Sequence, residues 1–504
     1  MLFLASSWEQ IIFTFIKKFW TKKSDAIEAD DEVSVSVSLN ENESEQKPRH
    51  NKRSRSAQIL DARQYGIYPD KIHKHALQIV DKLQANGFEA YIVGGCLRDI
   101  LQNKKPKDFD VATNARPEQI RNIFQRQCRL VGKRFRLAHI MFGRDFIEVA
   151  TFRADHQPKH NDNQSRQSAS GMLLRDNVYG NMSQDAARRD FTVNSFYYDP
   201  NKHKLYDFFN GLDDLRNGKL RLIGDPEIRY QEDPVRMLRA IRFMAKLDMF
   251  LDSPSETPIK RLAHLLQDIP PARLYDESLK LLQSGHGVKS YRLMQKYGLF
   301  EQLFPSLIPY FTERGDNDTQ HMIERALYST DERIADNLAI NPAFLFATFF
   351  WYPLREKVEM LKNEGGLNNH DAYNLAGNDV LDTFCKRLAA PRRHTSVIRD
   401  IWILQLQLMK RQGKAPTRTF EHPKFRAAYD LLAMRAEIEG GESIELATWW
   451  YEYQQSNESQ RTQLLQRQQR SKGKTHSGEK KPFRRRRHSH RRKSANNKPN
   501  KQVN

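Results

Sequence analysis

The sequence predicts an α+β protein in which a small mixed β-sheet with helices comes first, an all-α region follows, and a disordered basic tail ends the chain. Three observations predict this order. Short apolar segments separated by glycine turns run through residues 57–215. From Gly224 to residue 460, apolar residues recur at helical spacing without a convincing strand pattern or a fixed-period repeat. After Ser471 the chain becomes dense in Lys and Arg.

The elements of the first region follow from its hydrophobic periodicity. Apolar residues between Ile72 and Leu83 are spaced as one face of a helix that ends near Gly87, and a second helix is predicted over residues 117–124. Four apolar or alternating segments predict strands, at residues 90–95, 108–113, 135–143 and 145–153. The polar stretch 155–185 is expected to be a mobile loop over a site, or else a plain surface insertion.

The charge indicates a polyanionic partner. The chain has 504 residues, with 82 Lys and Arg against 62 Asp and Glu and a net charge of +20. The stretch from Ser471 to Asn504 contains 13 Lys and Arg and one acid, Glu479. A basic protein with a denser basic tail fits RNA, DNA or an anionic membrane. The simpler alternative is a solvated disordered end.

The cysteines and the N-terminus bear on location. Three cysteines at spacings that fit neither a disulfide framework nor a metal cluster indicate a reducing cytoplasm. No run of 18 apolar residues predicts a transmembrane helix. Residues 1–23 nevertheless read as an amphipathic segment with a lysine-rich end, so we expect peripheral contact with the inner face of the membrane. An unimportant extension is the alternative.

Two aspartates stand two residues apart in the strand predicted over residues 108–113. Alternation on that strand would direct Asp108 and Asp110 to one side and Phe109 to the other. Their α-carbons would then lie about 6.5–7 Å apart, which lets both carboxylates bind one or two Mg²⁺ ions. Glu148 on another predicted strand is the candidate third metal ligand, or else an ordinary solvent-facing carboxylate.

A glycine pair precedes these aspartates. Gly94 and Gly95 end a predicted strand, and a helix carrying Arg98 and Asp99 begins there. Backbone N–H groups at such a turn can approach phosphate oxygens, and Arg98 can add a charge-assisted hydrogen bond. Taken alone, the pair also fits a tight structural turn.

A second group of polar residues follows in two segments. The segment RRDFTVNS supplies Arg189, Asp190 and Asn194, which suit phosphate and ribose hydroxyl groups. Further on, EDPVRMLRAIRF places Asp233 and Arg236 three residues apart on a predicted helix, where an acceptor and a donor complement an adenine edge. An ion pair between these two residues is the alternative. The same helix continues its basic stripe through Arg239 and Arg242.

Together the segments VGGCLRD, KDFDVAT, RRDFTVNS and EDPVRMLRAIRF resemble the class II nucleotidyltransferases, the family of CCA-adding tRNA enzymes and bacterial poly(A) polymerases. The segment LVGKRFRLAHI (residues 130–140) resembles the one that marks the poly(A) polymerase branch. The resemblance covers residues 58–450. It departs at Leu97, where the family often has Val. It implies a nucleotidyltransferase head (57–215), a helical neck with a base-recognition helix (216–290) and a helical RNA-binding body (291–460). The N-terminal extension (1–56), in which a polar, disordered linker is expected to follow the amphipathic segment, and the tail (461–504) fall outside it.

The resemblance also implies a reaction and its participants. An RNA 3′-hydroxyl would attack the α-phosphate of ATP without a template, with Asp108 and Asp110 on two Mg²⁺ ions and Asp190 in the catalytic set. Arg189 and Asn194 would hold ribose and phosphate, and Arg239 and Arg242 would contact phosphate. The expected acceptors are the 3′ ends of mRNA and small RNA, with tRNA and rRNA as further candidates. CCA addition to tRNA is the alternative activity, and an inactive RNA-binding protein is the alternative from another class.

Overall fold

The computed structural model describes residues 56–132, 136–154, 165–167, 173–176, 178–311 and 317–473. Its strands are short because glycine turns and helices interrupt each apolar run. Twelve strands lie in the described residues: β1 (Gln58–Asp61), β2 (Ala90–Val93), β3 (Asp110–Thr113), β4 (Cys128–Val131), β5 (Leu137–Phe142), β6 (Asp145–Thr151), β7 (Ser165–Gln167), β8 (Leu173–Asp176), β9 (Phe196–Asp199), β10 (Lys204–Asp207), β11 (Lys219–Leu220) and β12 (Phe250–Leu251).

Eight strands form the main sheet, in the order β1-β10-β9-β2-β3-β6-β5-β4. The contact between β3 and β6 is parallel, and the other neighbours in this sheet pair antiparallel. The parallel register aligns Asp110 with Glu148. The predicted mixed sheet and the existence of all four predicted strands are therefore confirmed, although each strand is shorter than predicted.

The strand predicted over residues 108–113 begins only at Asp110, so the expectation that Asp108 lies in it is wrong. The last paired residues of β2 and β3 are Val93 and Asp110. Beyond them Gly94 adopts φ +83° and turns the chain into a helix, which leaves residues 108 and 109 without a strand partner.

The two faces of the main sheet are packed against different parts of the chain. One face packs Ile92, Val111, Ile140 and Val149 against the first helices of the chain. On the other face, the half around β2 and β9 is covered by an aromatic cluster that includes Tyr197. The half formed by β6, β5 and β4 alternates exposed or half-buried residues with buried ones, so its outer side is accessible. We call this accessible half the open face.

Helices supply the rest of the chain, as predicted. In the head they are α1 (Lys74–Ala85), α2 (Gly95–Leu101), α3 (Pro117–Phe124), α4 (Met182–Ala187) and α5 (Gly211–Arg216). In the neck they are α6 (Pro226–Glu232), α7 (Val235–Leu247), α8 (Ser253–Leu262) and α9 (Pro271–Leu282). The body contains α10 (Gly287–Lys296), α11 (Phe300–Leu303), α12 (Asp318–Ala335), α13 (Pro342–Phe349), α14 (Trp351–Asn363), α15 (Asn369–Leu388), α16 (Arg392–Leu408), α17 (Ala415–Phe420), α18 (Phe425–Glu439), α19 (Gly441–Gln455) and α20 (Glu458–Gly473).

One apolar core joins the neck to the body, running from Phe191 and α7 through α9 and α13 to Met434 on α18. Two details differ from the sequence prediction. The two-residue strand β12 lies within the region expected to be all helical, where it pairs with β11. Helix α20 extends to Gly473, although the chain from residue 461 was expected to be disordered.

Several predicted features lie outside the described residues. These are the amphipathic segment 1–23, the linker that follows it, and the basic tail from residue 474. The predicted mobile loop lies partly outside, and its described portions are β7, β8 and the start of α4. In the described part of the chain, no helix combines the length and apolar character that crossing a bilayer requires.

Candidate active site

A cleft of about 1100 Å³ opens between the sheet, α2, α7 and α9. All the residues predicted to bind nucleotide line it: Gly94, Gly95, Arg98, Asp99, Arg189, Asn194, Asp233, Arg236, Arg239 and Arg242. Asp108, Asp110 and Asp190 line it as well. Segments far apart in sequence therefore converge on one concave, charged site, as nucleotide-binding sites require.

The glycine turn shapes the floor of the cleft. Gly94 caps the N-terminus of α2 at φ +83° and ψ −142°, a conformation that residues with a Cβ rarely adopt. A Cβ added there would lie 3.4 Å from Nη1 of Arg189 and 3.9 Å from Oδ2 of Asp110. Glycine thus lets the chain turn between a cation and a carboxylate of the site.

Asp108 and Asp110 present adjacent carboxylates to this cleft, although strand alternation does not align them. Asp110 is open to solvent in the cleft, but the surrounding protein removes much of its hydration. This desolvation and the negative charges of Glu148 and Asp108 raise the pKa of Asp110 to about 6. The positive charge of Arg189 opposes the shift only in part. A bound cation would offset the negative charge that Arg189 leaves uncompensated when both carboxylates are ionised.

Glu148 neighbours Asp110 across the parallel β3–β6 register, on the same side of the sheet. Burial raises the pKa of Glu148, and Oε2 lies 3.7 Å from Nε2 of His139. Within the described residues, no group of three or more His, Cys, Asp or Glu side chains has the geometry of a metal site. Which of Glu148 and Asp190 completes the carboxylate set with the two aspartates stays a prediction.

Arg98 is buried and fixed by two partners. Its Nε donates to Oδ1 of Asp99 at 2.9 Å, and its Nη1 donates to Oδ1 of Asn194 at 2.6 Å. Asn194 in turn donates from Nδ2 to Asp190 at 3.2 Å. The predicted phosphate ligand of α2 is thereby connected to the RRDFTVNS segment through hydrogen bonds that hold its guanidinium in one orientation.

Asp190 is buried against Arg239 of α7. Its Oδ2 accepts from Nε of Arg239 at 2.8 Å and also from Nη2, while its Oδ1 accepts from the backbone N–H of Phe191 at 2.8 Å. Burial alone would raise the pKa of Asp190, but the positive charge of Arg239 and these hydrogen bonds lower it to about 2. Asp190 is thus ionised and occupied by protein donors, and it joins the head to the neck.

Arg189 lies beside the glycine turn at Gly94. Its Nε donates to the Tyr197 hydroxyl at 2.9 Å, and its Nη2 lies 3.3 Å from Oδ2 of Asp185. Tyr197 also donates to Asp185, at 2.7 Å. This network holds Arg189 beside Gly94 and Asp110, where its charge partly offsets the neighbouring carboxylates.

The side chains of Asp233 and Arg236 contact different neighbours. Asp233 lies just before α7 and accepts from Nη2 of Arg273 at 2.8 Å. Arg236 donates from Nη1 to the Arg229 carbonyl at 2.7 Å and to Glu232 at 3.3 Å. Each residue is oriented by its own partner while both still line the cleft.

A cationic wall continues along α7. Phe243 lies at its centre, with the guanidinium carbons of Arg98, Arg239 and Arg242 at 5.4, 5.6 and 5.0 Å from its ring centroid. Loss of hydration lowers the pKa of both Arg242 and Lys246, and neighbouring cations lower them further. A cluster of like charges in a partly dehydrated cleft favours a polyanion such as a triphosphate.

The sequence prediction missed several residues of the cleft. Arg273, which positions Asp233, lies within the residues covered by the family resemblance but was not assigned to the site. Phe243 and Lys246 follow Arg239 and Arg242 on α7, and helical spacing could have included Lys246 in the basic stripe. Contacts such as Arg273–Asp233 join residues 40 positions apart, which spacing alone does not reveal.

Solved structures share this fold. The chain resembles a CCA-adding enzyme in its apo form II, with a TM-score of 0.53, 19% identity, and coverage of 79% of this chain and 87% of that one. It also resembles the Bacillus stearothermophilus CCA-adding enzyme in complex with CTP, with a TM-score of 0.50, 22% identity, and coverage of 76% and 81%. These likenesses show that the chain has the fold of the CCA-adding enzymes.

Sequence relatives show the family to which the chain belongs. Three family descriptions match: "Poly A polymerase head domain" over residues 90–221, "Probable RNA and SrmB- binding site of polymerase A" over 248–311, and "Polymerase A arginine-rich C-terminus" over 365–493. Poly(A) polymerase I of Haemophilus influenzae is 73% identical over 412 residues, which are 82% of this chain and 91% of that protein. The chain belongs to the poly(A) polymerase family.

Two further relatives place it within that family. Poly(A) polymerase I of Escherichia coli O6:H1 is 53% identical over 400 residues, covering 79% of this chain and 86% of that protein. The CCA-adding enzyme of Staphylococcus epidermidis is 32% identical over 241 residues, covering 48% and 56%. The similarity to poly(A) polymerases thus extends along most of this chain and most of each relative. This agrees with the LVGKRFRLAHI segment, which resembles the poly(A) polymerase branch.

Proposed function

We propose that this protein adds AMP from ATP to the 3′ ends of RNA without a template and releases pyrophosphate. One observation carries the proposal: the Asp108–Asp110 pair faces a cationic wall across a single cleft at the N-terminus of α2. Carboxylates suit metal-assisted activation of a hydroxyl, and the cations suit a triphosphate. The extent of similarity to poly(A) polymerases favours this activity over CCA addition.

The donor set fits Mg²⁺, which prefers carboxylate oxygens. Asp108 and Asp110 would hold two ions, whose charge would offset the desolvation and like-charge repulsion that raise the pKa of Asp110. When bound, Mg²⁺ would favour deprotonation of the RNA 3′-hydroxyl and neutralise charge on the triphosphate. Glu148 adds negative charge from the next strand, whereas Asp190 acts as a positioning residue that holds Asn194 and Arg239.

Protein side chains would select the base, because the proposed reaction has no template. Asp233, held by Arg273, offers an acceptor for the adenine amino group. Arg236, held by Glu232 and the Arg229 carbonyl, offers donors for a ring nitrogen. Fixed partners keep both groups in place before the nucleotide enters, which reduces the ordering cost of binding.

The decisive experiment incubates purified protein with Mg²⁺, a generic RNA and each NTP separately. We expect long tails with ATP alone. Incorporation of two C and one A, on tRNA only, would instead identify a CCA-adding enzyme. Complete absence of incorporation would favour an RNA-binding protein without activity.

We also propose a cytoplasmic enzyme that meets RNA through its basic tail and the membrane surface through residues 1–23. Cys96, Cys128 and Cys385 are free, which supports a reducing compartment. Deleting residues 474–504 should weaken RNA binding and make it less salt-dependent, because fewer cations would contact phosphates. Deleting residues 1–23 should move the protein out of the membrane fraction, and an unchanged distribution would remove the membrane proposal.

A further inference from the structure

The open face of the sheet carries an aromatic pair that the nucleotide site does not use. Phe146 on β6 is 49% exposed, although neighbouring Ile147 is buried. Its ring stacks on the half-buried ring of His139 on β5, with centroids 4.3 Å apart and planes 14° from parallel. One face of Phe146 therefore remains open to solvent above a firm support.

This pair continues a row of residues that begins at the aspartates. The register pairs Asp110 on β3 with Glu148 on β6 and Glu148 with His139 on β5. It also pairs His139 with Arg129 on β4. Alternation places the four side chains on one side of the sheet. At the usual strand spacing, His139 lies about 10 Å from Asp110, and exposed Arg129 lies one strand further out.

The cleft approaches Asp110 from the other direction. Its lining comes from α2, the segments around residues 104–110 and 189–194, α7 and α9, and none of its residues in the described chain lies on β4, β5 or β6. Phosphoryl transfer requires the attacking and leaving oxygens to lie roughly in line across the phosphorus. A triphosphate in the cleft thus leaves the side toward β6 and β5 for the attacking 3′-hydroxyl.

We propose that Phe146, supported by His139, is the acceptor platform on which the 3′-terminal base of the RNA stacks, with Arg129 contacting a backbone phosphate upstream. The inference rests on the proposed function, because it places the acceptor of that reaction. Base–aromatic stacking is tolerant of sequence, since every base has a π-face. The platform therefore suits an enzyme that accepts many RNA ends, and a terminal base stacked there reaches Asp110 with its 3′-hydroxyl.

The test uses full-length protein and a short RNA with 2-aminopurine as its 3′-terminal base. Without ATP, binding should quench the fluorescence for the unaltered protein and for Phe146→Tyr, but not for Phe146→Leu. In extension assays, Phe146→Leu should raise KM for RNA about 10-fold to 100-fold, the loss expected for one base–aromatic stack, and leave KM for ATP unchanged. Tyr68→Leu is the control, because Tyr68 is an aromatic residue that is 43% exposed but lies outside the cleft and the open face.

Full quenching with an unchanged KM for RNA in Phe146→Leu would overturn the platform, as would an equal effect of Tyr68→Leu. If Phe146→Leu lowers the unfolding midpoint, Arg129→Gln at the exposed outer end carries the test. It should reduce the slope of RNA binding against salt by about one, and an unchanged slope contradicts the proposal. Phe146-dependent quenching by a protein that incorporates no AMP would refute the proposed function alone.

Discussion

Arg239 of α7 binds Asp190 through both Nε and Nη2, and this contact fastens the neck helix to the head at the edge of the nucleotide cleft. The two residues lie 49 positions apart. Asp190 also receives hydrogen bonds from Phe191 and Asn194, so its position fixes the segment that orients Arg98. A residue assigned to the catalytic set from its motif thus has a clear structural role in holding the cleft closed on one side.

Arg239→Ala should destabilise the protein by about 3 kcal/mol, because it leaves the buried Asp190 carboxylate without its cation. Arg261→Ala is the matched control, since Arg261 pairs with Glu227 at an exposed position where such a pair contributes less than about 1 kcal/mol. Urea unfolding of both variants measures the difference. Equal effects would show that the Asp190 pair is not special.

The same pair predicts a dependence on pH. The pKa of Asp190 is lowered from 3.8 to about 2, so the pair contributes its stability above pH 3.8 and loses it as the pH falls through about 2. The difference in unfolding free energy between the unaltered protein and Arg239→Ala should therefore be largest near pH 7. It should shrink below pH 4, and a difference that grows on acidification would contradict the assignment.

Asp108→Asn and Asp110→Asn should each lower AMP incorporation by about 10³-fold or more, because carboxylate–metal contacts stabilise the transferring phosphoryl group by several kcal/mol. RNA binding and the unfolding midpoint should stay near those of the unaltered protein. Asp213→Asn, an exposed carboxylate of α5 outside the cleft, is the control and should retain activity. Near-normal extension by Asp110→Asn would refute the metal assignment.

Gly94→Ala should lose activity through contact as well as strain. Its positive φ is strained for alanine by about 1–3 kcal/mol, and the new Cβ would meet Arg189 and Asp110. Gly87→Ala offers a close control, with φ +81° and nothing within 4 Å of the added Cβ. Both variants should be less stable, but Gly87→Ala should keep its kcat. Similar kcat values for the two would remove the role of Gly94 in the site.

Arg273→Ala should relax the choice of nucleotide, because Asp233 would lose the donor that holds it. We expect the preference for ATP over CTP, measured as the ratio of kcat/KM values, to fall about tenfold, the effect of one misplaced hydrogen-bonding group. Arg292→Ala removes an exposed arginine of α10 that pairs with Glu324 and should leave the ratio unchanged. An unchanged ratio in Arg273→Ala would argue against base selection by Asp233.

Much of the fold and the site could be predicted because their signals are local. The helix over residues 117–124 and the strands around Ala90 and Asp145 follow from periodicity within a few residues. The boundary of β3 could not be predicted, because it depends on where its partner β2 turns at Gly94. The helix that continues to Gly473 was missed for a different reason, because its segment is polar and weakly periodic.

The sequence by itself determined the residue types of the site: the glycine pair, the two aspartates and the arginine-rich helix, each carried by a short motif. Only the tertiary structure decided which of them touch. It paired Asp190 with Arg239 and Asp233 with Arg273, aligned Glu148 with Asp110, and exposed Phe146 above His139. The physical reason is that each side chain's chemistry depends on its own residue type. Strand register and helix packing, in contrast, join distant segments through contacts that spacing along the chain does not predict.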